Sequence, residues 1–183
     1  EPQNLLDATI FFDFRSVYGN EAICERLREK VAGSIKDNPL FLYHLAYNTF
    51  NTKPQHISSV SILSDKNADM VDLKSAVTPI IMFARTYSLQ NNIWYTNTID
   101  RLTVLKEKRI ISENTIKEIT FAYNFLMKLR FRNQIYLSEN NLQLSNTMNS
   151  RNLIEMELFI LKKVLSSIPD YQNKIKTDFR ITQ

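Results

Sequence analysis

The sequence predicts an all-α protein, a bundle of about six to seven helices with a small β-hairpin or an ordered loop near residues 57–71. Apolar residues recur at helical spacing through most of the chain, as they do on a helix face that packs against a core. Residues that commonly cap helices stand before several of these stretches. Gly19 and Gly33 are the only glycines in the chain. So few glycines argue against glycine-rich phosphate loops and many-stranded β folds.

The composition is that of a globular protein with a full core. Hydrophobic residues make up 44% of the 183 residues, so we expect a single helical domain over 1–183. The chain begins with Glu1 and has no apolar run long enough to span a bilayer, which indicates a piece of a longer, soluble multidomain protein. Cys24 is the only cysteine, and His44 and His56 are the only histidines. This fits a reducing, cytoplasmic setting and argues against a Cys- or His-based metal site.

The stretch over residues 4–17 fits two structures. Ile10, Phe12 and Phe14 alternate with their neighbours as in a strand, yet the same stretch carries apolar residues at helical spacing. We expect a helix, with Gly19 just beyond its C-terminus.

Two helices follow in the first half of the chain. Asn20 is placed to cap a helix over residues 21–35. Asn38 and Pro39 predict the N-cap and first residue of another helix, because proline fits the first turn. The expected apolar faces are Ile23, Leu27, Val31 and Ile35 on the first helix, and Leu42, Leu45, Ala46 and Phe50 on the second.

The middle of the chain changes character. Residues 53–71 show no helical period and contain β-forming residues followed by a turn. Asp72 or Ser75 is expected to cap the next helix, which carries Pro79 in its first turns and ends at Asn91-Asn92. Its predicted core stripe is Ile80, Phe83, Ala84 and Tyr87.

The second half predicts three more helices. Thr96 or Asn97 caps a short one, and Ser112 caps a long one that runs to about residue 137. A polar loop over residues 140–147 follows. Asn149 or Ser150 then starts the last long helix, which Pro169 is expected to break.

Short polar clusters interrupt this helical pattern, and they supply the candidate binding residues. A charged side chain on a buried stripe is costly unless it is paired or hydrogen-bonded. These residues therefore need partners, which are either each other or a ligand. The candidates for substrate binding are Asp13, Arg15, Asp72, Lys74, Arg85, Asn97, Thr98, Arg101, Arg130, Arg132 and Gln134.

Each cluster also has a purely structural explanation. Arg130 and Arg132 lie on opposed apolar stripes of the long helix, with Gln134 one turn beyond Arg130. A guanidinium suits phosphate and carboxylate equally, so each Arg either contacts a ligand or pairs with an acid of a neighbouring helix. Capping alone explains residues 96–98, although a helix N-terminus beside Arg101 can also hold an anion. The acids considered as partners are Asp13, Asp72 and Asp100.

The charge pattern argues against nucleic acid as a partner. The formal net charge is +4, but Lys and Arg are scattered among acids, as at residues 106–109. A mixed run of this kind is typical of a solvated helix face. We expect neither a nucleic-acid nor a membrane partner.

The order and spacing of these blocks resemble the nucleotidyltransferase substrate-binding domain family. This is the C-terminal helical domain of bacterial signalling proteins that also carry cyclic-nucleotide-binding, CBS and nucleotidyltransferase domains. The opening block also resembles a helix of the related PII-protein uridylyltransferases, which supports a helix over residues 4–17. The resemblance spans nearly the whole chain and includes Leu5-Leu6-Asp7-Ala8, Phe11-Phe12-Asp13-Phe14-Arg15, Val17-Tyr18-Gly19, Asp72-Leu73-Lys74, Pro79, Ala84-Arg85, Thr96-Asn97-Thr98, Arg101-Leu102, Ala122-Tyr123 and Leu129-Arg130-Phe131-Arg132-Asn133-Gln134.

The resemblance implies a domain that binds substrate beside a catalytic domain N-terminal to Glu1 in the same chain. The partners it implies are that domain and an acceptor protein or a small-molecule nucleotide, and the parent protein is expected to use Mg²⁺ and a nucleoside triphosphate. The resemblance also implies a catalytic core marked by a Gly-Ser turn followed by paired aspartates. That combination is absent from these residues, so this part is not expected to catalyse transfer alone. The sequence departs from the family pattern at Ser16, where Pro is usual, and at Asn133, where His is usual.

A second hypothesis is a non-catalytic regulatory or interaction module. In that case the arginines form structural ion pairs with carboxylates and bind no ligand.

Overall fold

The computed structural model describes residues 11–53 and 70–182, which form six α-helices and one two-stranded antiparallel sheet. This confirms the predicted helical bundle. None of the helices in the described ranges is both long enough and apolar enough to cross a membrane. The elements are α1 (Glu21–Asp37), α2 (Pro39–Asn51), β1 (Met70–Asp72), α3 (Leu73–Gln90), α4 (Thr98–Glu107), α5 (Glu113–Glu139), β2 (Thr147–Asn149), a 3₁₀ turn (Ser150–Asn152) and α6 (Glu155–Asp178).

Helix α3 is the centre of the bundle. It packs against α2, α4, α5 and α6. Its buried positions cover most of its circumference and leave one less buried stripe, which consists of Lys74, Thr78, Ile81 and Arg85. The predicted stripe is confirmed, because Ile80, Phe83 and Ala84 are fully buried and Tyr87 is nearly so. A helix that buries most of its circumference belongs in the interior of a bundle.

The helix starts follow the predicted caps at most positions. Asn20, Asp72, Asn97 and Ser112 each accept a hydrogen bond from an amide of the first turn that follows. Asn38 occupies the predicted N-cap position of α2, but its side chain makes no capping hydrogen bond there. Its Nδ2 instead donates to the Ser34 carbonyl at 2.8 Å, at the end of α1. Pro39 still begins α2 as expected.

The apolar face predicted for α1 is only partly buried. Ile35 is buried and Val31 half-buried, whereas Ile23 is 59% and Leu27 37% exposed. The C-terminal half of α1 is therefore packed, and its N-terminal half is uncovered.

The chain before α1 does not form the expected helix as far as residue 17. Phe11 is its last helical residue, and residues 12–20 form a turn and irregular backbone, with neither helix nor strand. Gly19 has φ +100° but follows no helix end. This stretch is held by contacts with the bundle instead of by helical hydrogen bonds. Residues 4–10 of the predicted helix lie outside the described ranges.

The β element is confirmed as small, but its two strands come from distant parts of the sequence. Strand β1 pairs antiparallel with β2, in the register Met70 with Asn149, Val71 with Met148 and Asp72 with Thr147. Most of the segment predicted as a hairpin or loop, residues 54–69, lies outside the described part of the chain. The predicted polar loop over residues 140–147 ends in β2.

The last helix continues through Pro169, so the predicted break is wrong. The predicted start at Asn149 or Ser150 is a 3₁₀ turn, and α6 begins at Glu155. A proline inside a helix costs about 3 kcal/mol. Ile168 and Ile175 on either side of it are fully buried, and each such burial contributes roughly 1.5–3 kcal/mol. Packing on both sides of the proline therefore offsets the lost backbone hydrogen bond.

A buried glutamine ties α6 to the end of α2. Gln172 is 5% exposed, and its Nε2 donates to the carbonyls of Thr49, Phe50 and Thr52 at 3.1, 3.1 and 2.6 Å. The last carbonyls of a helix have no intrahelical donor. One side chain of α6 thus satisfies the C-terminal end of α2.

We predict that Gln172→Met lowers the free energy of unfolding by about 1–3 kcal/mol, because it keeps the side-chain volume but leaves buried carbonyls without a donor. Urea unfolding monitored by circular dichroism measures this change. The matched control is Gln90→Met at an exposed position, where we expect a change within about 0.5 kcal/mol. Equal effects of the two substitutions would contradict this account.

Candidate functional site

The ion-paired group with the most buried arginines among the described residues is the Asp13 cluster, which consists of Asp13, Arg85 and Arg101. Asp13 Oδ2 accepts a hydrogen bond from Arg85 Nη2, and Asp13 Oδ1 accepts one from Arg101 Nη2. The side chain of Arg101 is 3% exposed and that of Arg85 12%, whereas that of Asp13 is 27% exposed. One carboxylate therefore serves two largely buried guanidiniums.

The helices place the two arginines next to each other. Arg85 lies near the C-terminal end of α3, and Arg101 lies in the first turn of α4. The Asn97 side chain starts α4 by accepting from the amides of Ile99 and Asp100. Thr98, 7% exposed, is buried beside Arg101 in the same turn. The capping explanation of this cluster is thus correct for Asn97, and it also sets the position of Arg101.

The cluster carries an unbalanced positive charge. Burial lowers the pKa of Arg101, and the hydrogen bond and the charge of Asp13 act against this shift. Arginine stays protonated in proteins, so two positive charges face one negative charge. The Nε–H groups of Arg85 and Arg101 are buried and find no acceptor among the described residues. An unpaired buried donor costs about 1–3 kcal/mol, which an additional acceptor would recover.

Aromatic contacts hold the backbone that carries Asp13. The Phe12 ring lies 5.2 Å from the Phe41 ring, and the Phe14 ring lies 6.2 Å from Trp94, measured between centroids. The Arg28 guanidinium lies 5.9 Å from the centroid of Phe14. These contacts position Asp13 over the ends of α3 and α4.

Arg130 belongs to a different group, which fastens the loop before β2. Its Nε donates to Asn146 Oδ1 at 2.9 Å, and Gln134 Nε2 lies 3.4 Å from the same oxygen. Asn133 donates to the carbonyls of Ser145 and Thr147. The partner of Arg130 is thus an amide rather than any of the three acids considered for it. This group organises the loop.

Asp72 and Lys74 lie beside that loop. The Leu73 amide donates to the Asn146 carbonyl at 2.9 Å, while Asp72 accepts from the amides of Lys74 and Ser75 and from the Ser75 hydroxyl. Burial acts to raise the pKa of Asp72, but these hydrogen bonds, led by that of the Ser75 hydroxyl, hold the pKa below its ordinary value. Lys74 is exposed. Asp72 is therefore a helix cap.

Arg132 forms a surface ion pair between α5 and α6. Its Nη1 and Nη2 donate to the two carboxylate oxygens of Glu157 at 2.6 and 3.0 Å. This hydrogen bond raises the pKa of Arg132 and lowers that of Glu157. Such a bidentate pair fixes the orientation of both side chains. The structural explanation of Arg132 is therefore supported, with an acid that the sequence did not single out.

The predicted site residues thus fall into separate groups. Asp13, Arg85 and Arg101 are brought together, with Thr98 beside Arg101, but Asp72 lies at the opposite end of α3. At 1.5 Å per residue, about 20 Å of helix axis separates Asp72 from Arg85. Arg15 is exposed, and no group of metal-ligating side chains forms within residues 11–53 and 70–182.

Sequence reasoning missed the partners Asn146 and Glu157. Asn146 lies in a polar loop, where an asparagine is unremarkable, and Glu157 lies in the first turn of α6, where an acid is common for another reason. Neither residue carries a local signal that points to an arginine elsewhere in the chain.

We predict that Asp72→Ala lowers the free energy of unfolding by about 0.5–2 kcal/mol at pH 7, the usual cost of losing an N-cap. The folded-state pKa lies below the unfolded value of 3.8, so the stabilisation from the ionised carboxylate is complete above pH 3.8 and is lost as the pH falls through the folded pKa. Unfolding curves between pH 2 and 7 test this. A difference between the proteins that stays constant over this pH range would contradict it.

Comparison with known proteins identifies the family. A family model described as "Putative nucleotidyltransferase substrate binding domain" matches residues 39–179, from α2 through α6. The matched residues include Arg85 and Arg101, whereas Asp13 and α1 lie outside them. No curated protein and no solved structure matches the chain. Since the match covers well over half of the sequence, the chain belongs to the nucleotidyltransferase substrate-binding domain family.

Proposed function

We propose that this chain is the substrate-binding domain of a uridylyltransferase-like signal-transduction protein of the bacterial cytoplasm. In this proposal it acts beside an N-terminal nucleotidyltransferase domain of the same chain, and Arg85 and Arg101 contact an anionic group of the substrate. The anionic group is a nucleotide phosphate or an acidic part of the acceptor. The observation that carries the proposal is the excess positive charge of the Asp13 cluster.

The charge balance supports a binding role over a purely structural one. A cluster that served only to join helices would be most stable with equal charges, because an uncompensated buried charge is costly. Here Arg101 is almost fully buried and shares its only ion-pair partner in the described residues with Arg85. An oxyanion accepts charge-assisted hydrogen bonds from guanidiniums and would balance this excess.

The Mg²⁺ and triphosphate chemistry expected for the parent protein is assigned in this proposal to the catalytic domain. The described residues form no group of three or more potential metal ligands. This chain supplies binding and orientation.

The alternative function is a regulatory or interaction module without ligand contacts. The Arg132–Glu157 pair favours it for that part of the molecule, because the pair joins α5 to α6 and satisfies both groups. The two proposals assign different roles to Arg101, so substitutions at Arg101 and Arg132 separate them.

We predict that Arg101→Met in the full-length protein weakens nucleoside triphosphate or acceptor binding by about 10- to 100-fold, the usual effect of losing a charged hydrogen bond. Asp13 keeps Arg85 as its partner in this variant, so we expect the protein to fold. Isothermal titration and a nucleotide-transfer assay measure the effect.

Arg132→Met is the matched control. An exposed ion pair contributes about 0–1 kcal/mol, so we expect a small change in melting temperature and unchanged binding. If Arg101→Met lowers the melting temperature but leaves binding and transfer intact, the structural alternative is correct.

A further inference from the structure

We propose that Asp13 occupies the position of a ligand phosphate between Arg85 and Arg101, and that a phosphate-bearing ligand displaces it and releases the N-terminal segment. The N-terminal segment is defined as residues 11–20. The inference rests on the proposed function, since it assumes that the two guanidiniums bind an oxyanion. It adds that the site is covered by its own chain when no ligand is bound.

The charges favour phosphate over the carboxylate that now holds the site. Asp13 contributes one negative charge and two oxygens, and both oxygens are already used by the two Nη2 groups. A phosphate monoester carries about −1.5 to −2 at neutral pH and offers three acceptor oxygens. It can balance both guanidiniums and accept from a further donor, such as the buried Nε–H of either arginine.

Asp13 is the partner that can leave. Arg85 and Arg101 are carried by helices in the core, whereas Asp13 lies in a turn followed by irregular backbone. Its side chain is 27% exposed against 3% and 12% for the two arginines. Solvent therefore reaches the cluster from the side of Asp13, and a ligand that enters there meets the carboxylate first.

The other described contacts of the segment are made by aromatic rings. Phe12 packs edge-on against Phe41, and Phe14 lies at a tilt to Trp94 with Arg28 beside it. Phe12, Phe14 and Phe41 are all half-buried. No regular secondary structure holds residues 12–20 to the helices. In this proposal, loss of the two ion pairs of Asp13 leaves these ring contacts to hold the segment, so its backbone opens more often.

The experiment is a titration of the 183-residue chain with inorganic pyrophosphate, which presents phosphate oxygens alone. Trp94 is the only tryptophan and lies beside Phe14, so its fluorescence reports departure of the segment. Hydrogen exchange measured by mass spectrometry reports the backbone of residues 11–20. We expect pyrophosphate to change Trp94 fluorescence and to speed exchange in that segment.

Two variants test the competition. Asp13→Asn removes the competing charge, and we expect pyrophosphate to bind about tenfold more tightly. The segment should then exchange faster even without ligand. Glu157→Gln is the matched control, because it takes a carboxylate from an arginine pair outside the cluster. We expect it to leave pyrophosphate affinity unchanged.

The outcomes separate this proposal from the one on which it rests. Weaker pyrophosphate binding by Asp13→Asn would show that Asp13 orients the arginines, which overturns displacement and leaves the proposed function standing. Absence of binding in both the wild-type chain and a folded Asp13→Asn would overturn both proposals. If Asp13→Asn does not fold, the wild-type exchange decides: slower exchange at residues 11–20 with pyrophosphate overturns displacement, and faster exchange supports it.

Discussion

The burial of α3 over most of its circumference is the constraint on which the rest of the molecule depends. Four other helices pack against it, which leaves only the stripe of Lys74, Thr78, Ile81 and Arg85 partly uncovered. The Arg85 side chain on this stripe is still only 12% exposed, and a largely buried guanidinium needs a carboxylate. That carboxylate comes from Asp13, ahead of α1. The need to pair one arginine thus determines where the first part of the chain lies on the bundle.

The polar groups at the two ends of α3 differ in how completely they find hydrogen-bond partners. At the N-terminal end, Asp72 caps the helix, and Asn146 accepts from Arg130 while its own carbonyl accepts from the Leu73 amide. Among the described residues, no buried side-chain polar atom at this end lacks a partner, as in a network that serves structure. At the C-terminal end, Asp13 is shared by two arginines whose Nε–H groups lack acceptors among the described residues. This mismatch is the reason for proposing that the cluster binds a ligand.

Local features of the sequence predict much of this architecture, and tertiary features account for the rest. Asp72 is recognisable as a cap because the amides that it accepts from lie only two and three residues later in the sequence. Pro169 misleads because the burial of α6 outweighs a local penalty. The same limit holds for the site: Asp13 is a recognisable candidate acid, but its pairing depends on how α3 and α4 meet. The contact between Arg130 and Asn146 leaves no pattern in either segment.

The β1–β2 ladder has a consequence for how chain length can vary. It joins residues 70–72 to 147–149, so the chain from α3 through α5 returns to its own starting point. Val71 and Met148 face each other there and are both buried, and a slip of one residue would turn them towards solvent. An insertion near Asn146 would strain this closure, whereas one at the exposed positions 142–144 could loop outward. Relatives of this chain should therefore differ in length at the tip of that loop and keep a constant length at its base.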